Sequence, residues 1–154
     1  TFADHYRRPS LIYLDSSALI KNYSQEPGTH RVREILSAAD RCSISKIGYA
    51  EICAAFGRKN RENPKDRRVH LVGFQRFQED WKLLHIVELE DDLLPVICGL
   101  TEKYPLRGAD AIHLASALWL ERVLRDEVTF VAADGRLLEA ARDEKLKTVN
   151  PEKP

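Results

Sequence analysis

The sequence has no long apolar run, no net charge and no paired cysteines. No apolar stretch approaches the roughly 18 residues that a membrane-spanning helix needs, so we expect no membrane partner. The 24 basic residues are matched by 24 acidic residues, which excludes the strongly basic composition of many nucleic-acid binders. Any contact with nucleic acid must therefore depend on a local separation of charge.

The cysteines and the first residues lead to expectations about compartment and domain limits. Cys42, Cys53 and Cys98 lie in apolar surroundings and form no C-x-x-C pair. Reduced thiols are expected, and they suit a cytoplasmic protein. Residues 1–10 lack the apolar segment of a signal peptide. We predict a flexible N-terminal arm over residues 1–10 and a single domain over residues 11–150.

Short apolar runs alternate along the chain with longer amphipathic segments. Helices are predicted between the short runs, which have the length and composition of strands. This alternation predicts an α/β fold, in which a parallel sheet is flanked by helices. The strand candidates are "LIYL", "RCSI", "HIVEL", "VTFVAA" and "KTVN".

Capping residues and periodicity predict several details of the helices. Thr29 is expected to cap a helix that ends near residue 39, and Ser45 to cap a helix over residues 46–60. A long amphipathic helix is predicted over residues 65–82. Its apolar positions include Val69, Val72, Phe74 and Phe77.

Four carboxylates are isolated within apolar segments. Glu51 is the only acid in "IGYAEICAAFG", and an unpaired charge is costly to bury, so it needs a cationic partner, a metal or a proton. Asp15 and Asp134 each follow a predicted strand, and Asp110 opens a predicted helix. Because ligands of open α/β sheets bind outside the carboxyl ends of the strands, we expect these four acids to converge there.

Two interpretations of these acids are open. Asp15, Asp110 and Asp134 each begin a predicted helix, where Asp is a preferred N-cap, and Glu51 can form a buried pair with Lys or Arg. Converging carboxylates, in contrast, repel one another and attract a divalent cation, and hard oxygen ligands suit Mg²⁺ or Mn²⁺. Such a cation activates water and stabilises charge on a phosphodiester, so that no nucleophilic side chain is required.

The segments around the four acids resemble the acidic blocks of PIN-domain ribonucleases, in particular the VapC-type toxins of type II toxin–antitoxin pairs. The resemblance implies a three-layer α/β/α fold, a metal site formed by the four acids and a hydroxyl group near the metal at Ser17. It further implies an endoribonuclease that needs Mg²⁺ or Mn²⁺, cleaves RNA, binds a VapB-like antitoxin and forms a homodimer. The blocks read "YLDSSALIKNY", "YAEICAAFGRK", "LRGADAIHLASAL" and "FVAADGRLLEAA".

One histidine and one basic segment each have a functional and a structural interpretation. His113 lies three residues after Asp110, so both can share a helix face. It either touches substrate phosphate or orders a water beside the site, or it is a hydrogen-bonded core histidine. The basic segment either neutralises RNA phosphates or is a solvated face. Its cationic residues are Arg58, Lys59, Arg61, Lys65, Arg67 and Arg68.

Other function classes fit the sequence less well. A signalling receiver module needs a second acid directly after its first strand, whereas Asp15 is followed by Ser16 and Ser17. A phosphatase of the D-x-D type fails at Ser17 for a similar reason. A catalytically inactive PIN-like scaffold that binds RNA or protein remains the alternative, although the presence of all four acids disfavours it.

Overall fold

Five parallel strands form one sheet in a computed structural model that describes residues 8–154. The order across the sheet is β3-β2-β1-β4-β5, and every neighbouring pair is parallel. All five predicted strands are therefore confirmed, whereas the first seven residues of the predicted N-terminal arm lie outside the described residues. The strands are β1 (Leu11–Leu14), β2 (Arg41–Ser45), β3 (His85–Val87), β4 (Val128–Val131) and β5 (Lys147–Val149).

Helices connect the strands in the part of the chain that the structure describes. Short 3₁₀ turns follow α1 and precede α4 and α5. No helix within residues 8–154 is both long and apolar enough to cross a membrane. The α-helices are α1 (Ser16–Leu19), α2 (Thr29–Ala38), α3 (Ile47–Glu62), α4 (Arg67–Trp81), α5 (Leu94–Lys103), α6 (Gly108–Leu124) and α7 (Gly135–Asp143).

Alternate residues of β1 enter two hydrophobic clusters, one on each face of the sheet. Leu11 and Tyr13 pack in the cluster that α5, α6 and α7 cover. Ile12 and Leu14 pack in the cluster that α1, α2, α3 and α4 cover. Because a parallel sheet is buried on both faces, its central strand is apolar throughout rather than alternating with polar residues. The predicted three-layer α/β/α fold is confirmed.

The two predicted helix caps are wrong. The N-cap of α2 is Gly28, which has a φ of 89° and so occupies the left-handed region that glycine tolerates. Thr29 instead secures the preceding turn, because its hydroxyl accepts from the Glu26 N–H and donates to the Ser24 carbonyl, both at 3.0 Å. Ser45 lies one residue before the N-cap of α3 and accepts only a long hydrogen bond of 3.4 Å.

The first half of α4 does not join the core as its periodicity predicted. Val69 and Val72 are 68% and 57% exposed, whereas Phe77 is fully buried and Phe74 packs against the same cluster. The contact is made further along the helix, where a Cβ added at Gly73 would lie 2.1 Å from the Tyr23 carbonyl oxygen. Close approach at Gly73 therefore packs the middle of α4 against Tyr23, at the end of the turn that follows α1.

The strand order reverses between β1 and β4, and this reversal determines where a ligand site can form. Strands β2 and β3 lie on one side of β1, and β4 and β5 lie on the other. The Asp15 N–H donates to the Val131 carbonyl at 3.1 Å, which joins the ends of β1 and β4. Open α/β sheets bind ligands outside the carboxyl ends of the strands at such a switch point.

Candidate active site

The four isolated acids line one pocket at the switch point. The pocket is open to solvent and has a volume of about 680 Å³. Asp15 follows β1, Glu51 lies in α3, Asp110 lies in the first turn of α6 and Asp134 precedes α7. The structure therefore brings all four acids to the strand ends, where the sequence predicted them.

Asp15 is both a helix cap and a buried pocket carboxylate. Its Oδ1 accepts from the Ala18 N–H at 2.9 Å, and the Ser17 hydroxyl lies 2.9 Å from each carboxylate oxygen. Only 5% of Asp15 is exposed. Burial raises the pKa of its carboxyl to about 6, against the opposing effects of His113 and of these hydrogen bonds, and repulsion from Asp110 raises it further. The capping and metal-site interpretations are thus compatible at this position.

Glu51 is held by the Ser16 hydroxyl and the His113 ring. The predicted alternative, a buried pair with Lys or Arg, is not found among the described residues at its hydrogen-bonded oxygen. Its Oε1 accepts from the Ser16 hydroxyl at 2.7 Å and lies 2.6 Å from Nε2 of His113. Burial alone would raise the pKa of the carboxyl, but the His113 and Ser16 hydrogen bonds outweigh it and leave the pKa lowered. The side chain is 36% exposed, so this carboxylate is anchored from behind and still reaches the pocket.

Asp110 and Asp134 differ in whether they cap a helix. Asp134 is the N-cap of α7 and accepts from the backbone N–H groups of Arg136 and Leu137 at 2.9 and 3.2 Å. Asp110 does not cap α6, since the N-cap is Arg107, whose side chain forms no capping hydrogen bond. Instead, the Arg107 guanidinium lies 3.5 Å from Asp110. The capping prediction is therefore correct for Asp15 and Asp134 and wrong for Asp110.

His113 is buried behind Glu51 and uses both ring nitrogens within the protein. It is 2% exposed, and its Nδ1 lies 2.7 Å from the Tyr13 hydroxyl while its Nε2 lies 2.6 Å from Glu51. No nitrogen is left for a substrate phosphate in this arrangement. The hydrogen-bonded core interpretation holds, and the partner is a site acid.

The basic segment is divided between the pocket and the outer surface. Arg58 and Lys59 line the pocket, and the Lys59 ammonium lies 3.3 Å from Glu26. The other four cationic residues lie at the end of α3, in the following turn and at the start of α4, exposed and outside the pocket lining. They are Arg61, Lys65, Arg67 and Arg68.

Comparison with known proteins identifies the family of the chain. The family model of the PIN domain matches residues 12–143. The chain belongs to the PIN-domain family. Ribonuclease VapC47 of Mycobacterium tuberculosis (strain CDC 1551 / Oshkosh) is 32% identical over 148 residues, which cover 92% of this chain and 97% of that relative. The predicted resemblance to this family is confirmed.

Solved structures of low sequence identity share the fold. FitAcB from Neisseria gonorrhoeae superposes with a TM-score of 0.67 at 17% identity, covering 92% of this chain and 98% of that chain. A toxin–antitoxin complex from Klebsiella pneumoniae superposes with a TM-score of 0.63 at 19% identity, covering 94% of this chain and 100% of that chain. At these identities the likeness shows the PIN fold alone.

Sequence reasoning missed one buried cation of this PIN domain. Lys21 is 4% exposed, lines the pocket and lies 3.0 Å from Glu26 and 3.1 Å from Glu152. Burial lowers the pKa of its amine, but hydrogen bonds to the two carboxylates outweigh burial and leave the pKa raised. The local signal was weak, because Lys21 only follows the apolar run "ALI" and is itself followed by the polar Asn22.

Two further contacts had weaker signals. Arg107 precedes Asp110 by three residues, a spacing that predicts a pair on one helix face, and it also lowers the pKa of the Glu51 carboxyl from a distance. The second contact is made by Ser16, whose hydroxyl donates to Glu51. That contact joins α1 to α3, and a pairing between separate helices is invisible in a local pattern.

The donor chemistry of the pocket fits a hard divalent cation. All four acids supply carboxylate oxygens, which Mg²⁺ and Mn²⁺ prefer. Repulsion from Asp110 contributes to the raised pKa of the Asp15 carboxyl, and a cation would relieve that repulsion. Within residues 8–154, however, no three His, Cys, Asp or Glu side chains stand close enough to form a ready metal site. The acids share a pocket without forming a preformed coordination sphere.

Proposed function

We propose that this PIN domain is a Mg²⁺- or Mn²⁺-dependent endoribonuclease and the toxin of a toxin–antitoxin pair, acting in the cytoplasm. The observation that carries the proposal is the convergence of four carboxylates on one open pocket at the switch point of the sheet. The relative VapC47 is named a ribonuclease, which supports RNA as the substrate. Asp15, Glu51, Asp110 and Asp134 are the residues that would hold the cation.

The cation, when bound, supplies an activated water and stabilises negative charge on the phosphodiester. The residues of the chain position the carboxylates through hydrogen bonds. Ser17 and the Ala18 N–H hold Asp15, whereas Ser16 and His113 hold Glu51. Because the pKa of Asp15 is about 6, its carboxylate loses charge in mildly acidic solution, and we expect cation binding to weaken there.

Cations at the rim of the pocket are suited to hold the RNA strand. Arg58, Lys59 and Arg107 line the pocket beside the acids. Arg107 is well exposed and spans the distance between Asp110 and solvent. Phosphate contacts by such residues would position the strand without reading its sequence, and this division of labour leaves the acids for the chemistry.

An antitoxin of the VapB kind is the proposed protein partner. One structural neighbour is described as a toxin–antitoxin complex, and an open acidic pocket attracts a cationic side chain from a partner. We also propose a homodimer, on the family resemblance. Co-expression with a candidate VapB-like protein followed by size-exclusion chromatography tests both statements. Isolation of a free, fully active monomer in the presence of equimolar partner would contradict them.

Cleavage of RNA by the purified protein with Mg²⁺, Mn²⁺ or chelator tests the proposed activity. The parent is compared with Asp15→Asn, which keeps the helix cap because Asn is also a preferred N-cap. Asp92→Asn is the matched control, since Asp92 is exposed on the surface. We expect cation-dependent cleavage by the parent and by the control, and none by Asp15→Asn. RNA binding without cleavage by the folded parent would favour the inactive scaffold instead.

A further inference from the structure

A chain of hydrogen bonds runs from the centre of the sheet to the pocket. The Ser45 N–H donates to the Tyr13 hydroxyl oxygen at 2.9 Å, and that oxygen lies 2.7 Å from His113 Nδ1. His113 Nε2 then lies 2.6 Å from Glu51 Oε1. Tyr13 is fully buried and His113 almost so. Water therefore cannot replace these partners, and each proton must have a defined place.

The donors and acceptors in this chain select one tautomer of His113. The Tyr13 oxygen already receives the Ser45 N–H, so its own single proton is available to donate to Nδ1. An Nδ1 that accepts carries no proton, and the proton of the neutral ring then resides on Nε2. That N–H points at Glu51, whose carboxylate can only accept.

The other neutral tautomer of His113, with the proton on Nδ1, would require Tyr13 to donate its proton elsewhere. The Ser116 hydroxyl lies next to Tyr13 and itself donates to the Ile112 carbonyl at 2.7 Å. If Tyr13 donated to Ser116, the His113 Nδ1 would have to carry a proton and donate to Tyr13. A neutral ring would then turn a lone pair on Nε2 towards the Glu51 carboxylate, and the two acceptors would repel each other.

We propose that Tyr13 is a positioning residue, which fixes His113 as the Nε2–H tautomer so that His113 and Ser16 together hold one oxygen of Glu51. Both donors bind Oε1, and no hydrogen bond from the described residues reaches Oε2. Oε2 is therefore the oxygen left for the pocket. The statement about Glu51 as a cation ligand rests on the proposed function, whereas the tautomer of His113 does not.

Partners behind a metal ligand determine its orientation and basicity, and their loss costs about 10-fold to 100-fold in metal affinity. Tyr13→Phe removes only the hydroxyl and keeps the ring that stacks on Phe130, at a centroid distance of 5.6 Å. Tyr23→Phe is the matched control, because the Tyr23 hydroxyl donates to Asp80 at 2.8 Å in the other hydrophobic cluster. Each variant thus loses one hydrogen-bonded hydroxyl from the protein interior.

The first measurement is the ¹⁵N–¹H spectrum of the imidazole nitrogens in the metal-free proteins, which distinguishes the two neutral tautomers and the doubly protonated ring. We expect the Nε2–H tautomer for His113 in the parent and in Tyr23→Phe. In Tyr13→Phe we expect a mixture of tautomers. An Nδ1–H or doubly protonated His113 in the parent would overturn the proposal.

The second measurement is the affinity for Mn²⁺ by calorimetric titration. We expect Tyr13→Phe to bind about 10-fold more weakly than the parent, with Tyr23→Phe unchanged. His113→Gln supplies an amide N–H in place of Nε2–H, so it should retain more affinity than His113→Leu, which cannot donate. Equal affinity of all four variants and the parent would overturn the positioning role.

Failure of the proposed function is distinguishable from failure of this inference. A parent that shows the Nε2–H tautomer but neither binds Mn²⁺ nor cleaves RNA would refute the nuclease and leave the tautomer assignment intact. A parent that binds Mn²⁺ and cleaves RNA, with Tyr13→Phe identical in spectrum and affinity, would refute the role of Tyr13 alone.

Discussion

The two sides of the acidic pocket treat a carboxylate in opposite ways. On the sheet side, Asp15 is buried and is held by a hydroxyl and a backbone N–H, and its carboxyl has a pKa of about 6. On the α3 side, Glu51 is more exposed and is held by His113 and Ser16, and the pKa of its carboxyl is lowered. Because both residues lie in one pocket, the difference comes from depth and partners, not from residue type.

The opposite pKa shifts of Asp15 and Glu51 determine how much negative charge the pocket carries. Glu51 stays ionised at neutral pH, while Asp15 retains its proton to a higher pH and so limits the negative charge in the pocket. Asp110 contributes to the raised pKa of Asp15 through repulsion, although Arg107 lies beside Asp110 and screens it. Variants that exchange or remove these partners can break or sharpen the comparison.

The largest effect is expected from removing the charge of Glu51. Glu51→Gln keeps an oxygen that can accept from His113 and Ser16, so the fold should persist. The rate of RNA cleavage should fall by more than about 100-fold. This exceeds the usual loss when a residue that only hydrogen-bonds to a metal ligand is replaced. Cleavage rates and circular dichroism check this, with Glu139→Gln on the exposed face of α7 as control. Undiminished cation-dependent cleavage would remove Glu51 from the site.

The next effect is on the pH dependence of stability in the metal-free protein. The pKa of the Asp15 carboxyl rises from 3.8 to about 6 on folding, so the folded state binds its proton more tightly. The stability that this group contributes at low pH is therefore lost as the pH rises from about 4 through about 6. The free energy of unfolding falls by roughly 3 kcal/mol, since one pKa unit corresponds to about 1.36 kcal/mol. Asp15→Asn should abolish this loss.

The control for that effect is Glu51, whose shift has the opposite sign. Its pKa is lowered on folding, so its contribution to stability is present at neutral pH and is lost as the pH falls through the lowered pKa. Denaturant unfolding at several pH values with chelator gives both differences. The advantage of Asp15→Asn over the parent should grow with pH, whereas the deficit of Glu51→Gln should shrink as the pH falls. Parallel curves for parent and Asp15→Asn would contradict the account of Asp15.

A smaller effect is expected from the basic segment, and it separates the pocket rim from the outer surface. Arg58→Ala should lessen the slope of log affinity for RNA against log salt by roughly one unit, since one phosphate contact is lost. Arg67→Ala should leave the slope unchanged, because Arg67 is exposed and outside the pocket lining. Equal reductions would show that RNA follows the whole segment, which is the functional one of the two interpretations left open by the sequence.

The sequence was sufficient where the information is local. Strand β1 is a short apolar run bounded by polar residues, and Asp110 lies in the first turn of α6, the helix that it was predicted to open. Isolated acids in apolar surroundings also marked the pocket, because burial of a charge always requires a partner. Lys21 lacks that signal, because it stands at the end of an apolar run and not within one.

Contacts between elements that are distant in the chain could not be predicted from the sequence. Tyr13 and His113 are 100 residues apart, and nothing local indicates that their side chains meet. Val69 and Val72 have the spacing of core residues, but the core contact of α4 is made near Gly73. Thr29 was predicted to cap the N-terminus of α2 because of its residue type. Its hydroxyl instead forms hydrogen bonds within the preceding turn.

The central claim is that the four acids form a divalent-cation site, and thermal unfolding with chelator or Mn²⁺ tests it most directly. Asp110→Asn is the most informative variant, because Asp110 caps no helix and its removal relieves the repulsion on Asp15. Without metal, the variant should be at least as stable as the parent.

Mn²⁺ at a hundredfold excess over its Kd should stabilise the parent by about 2.7 kcal/mol. Asp110→Asn should gain only about 1.4 kcal/mol at the same concentration if its affinity falls tenfold. An equal gain in parent and variant would contradict the claim, since the cation would then bind elsewhere.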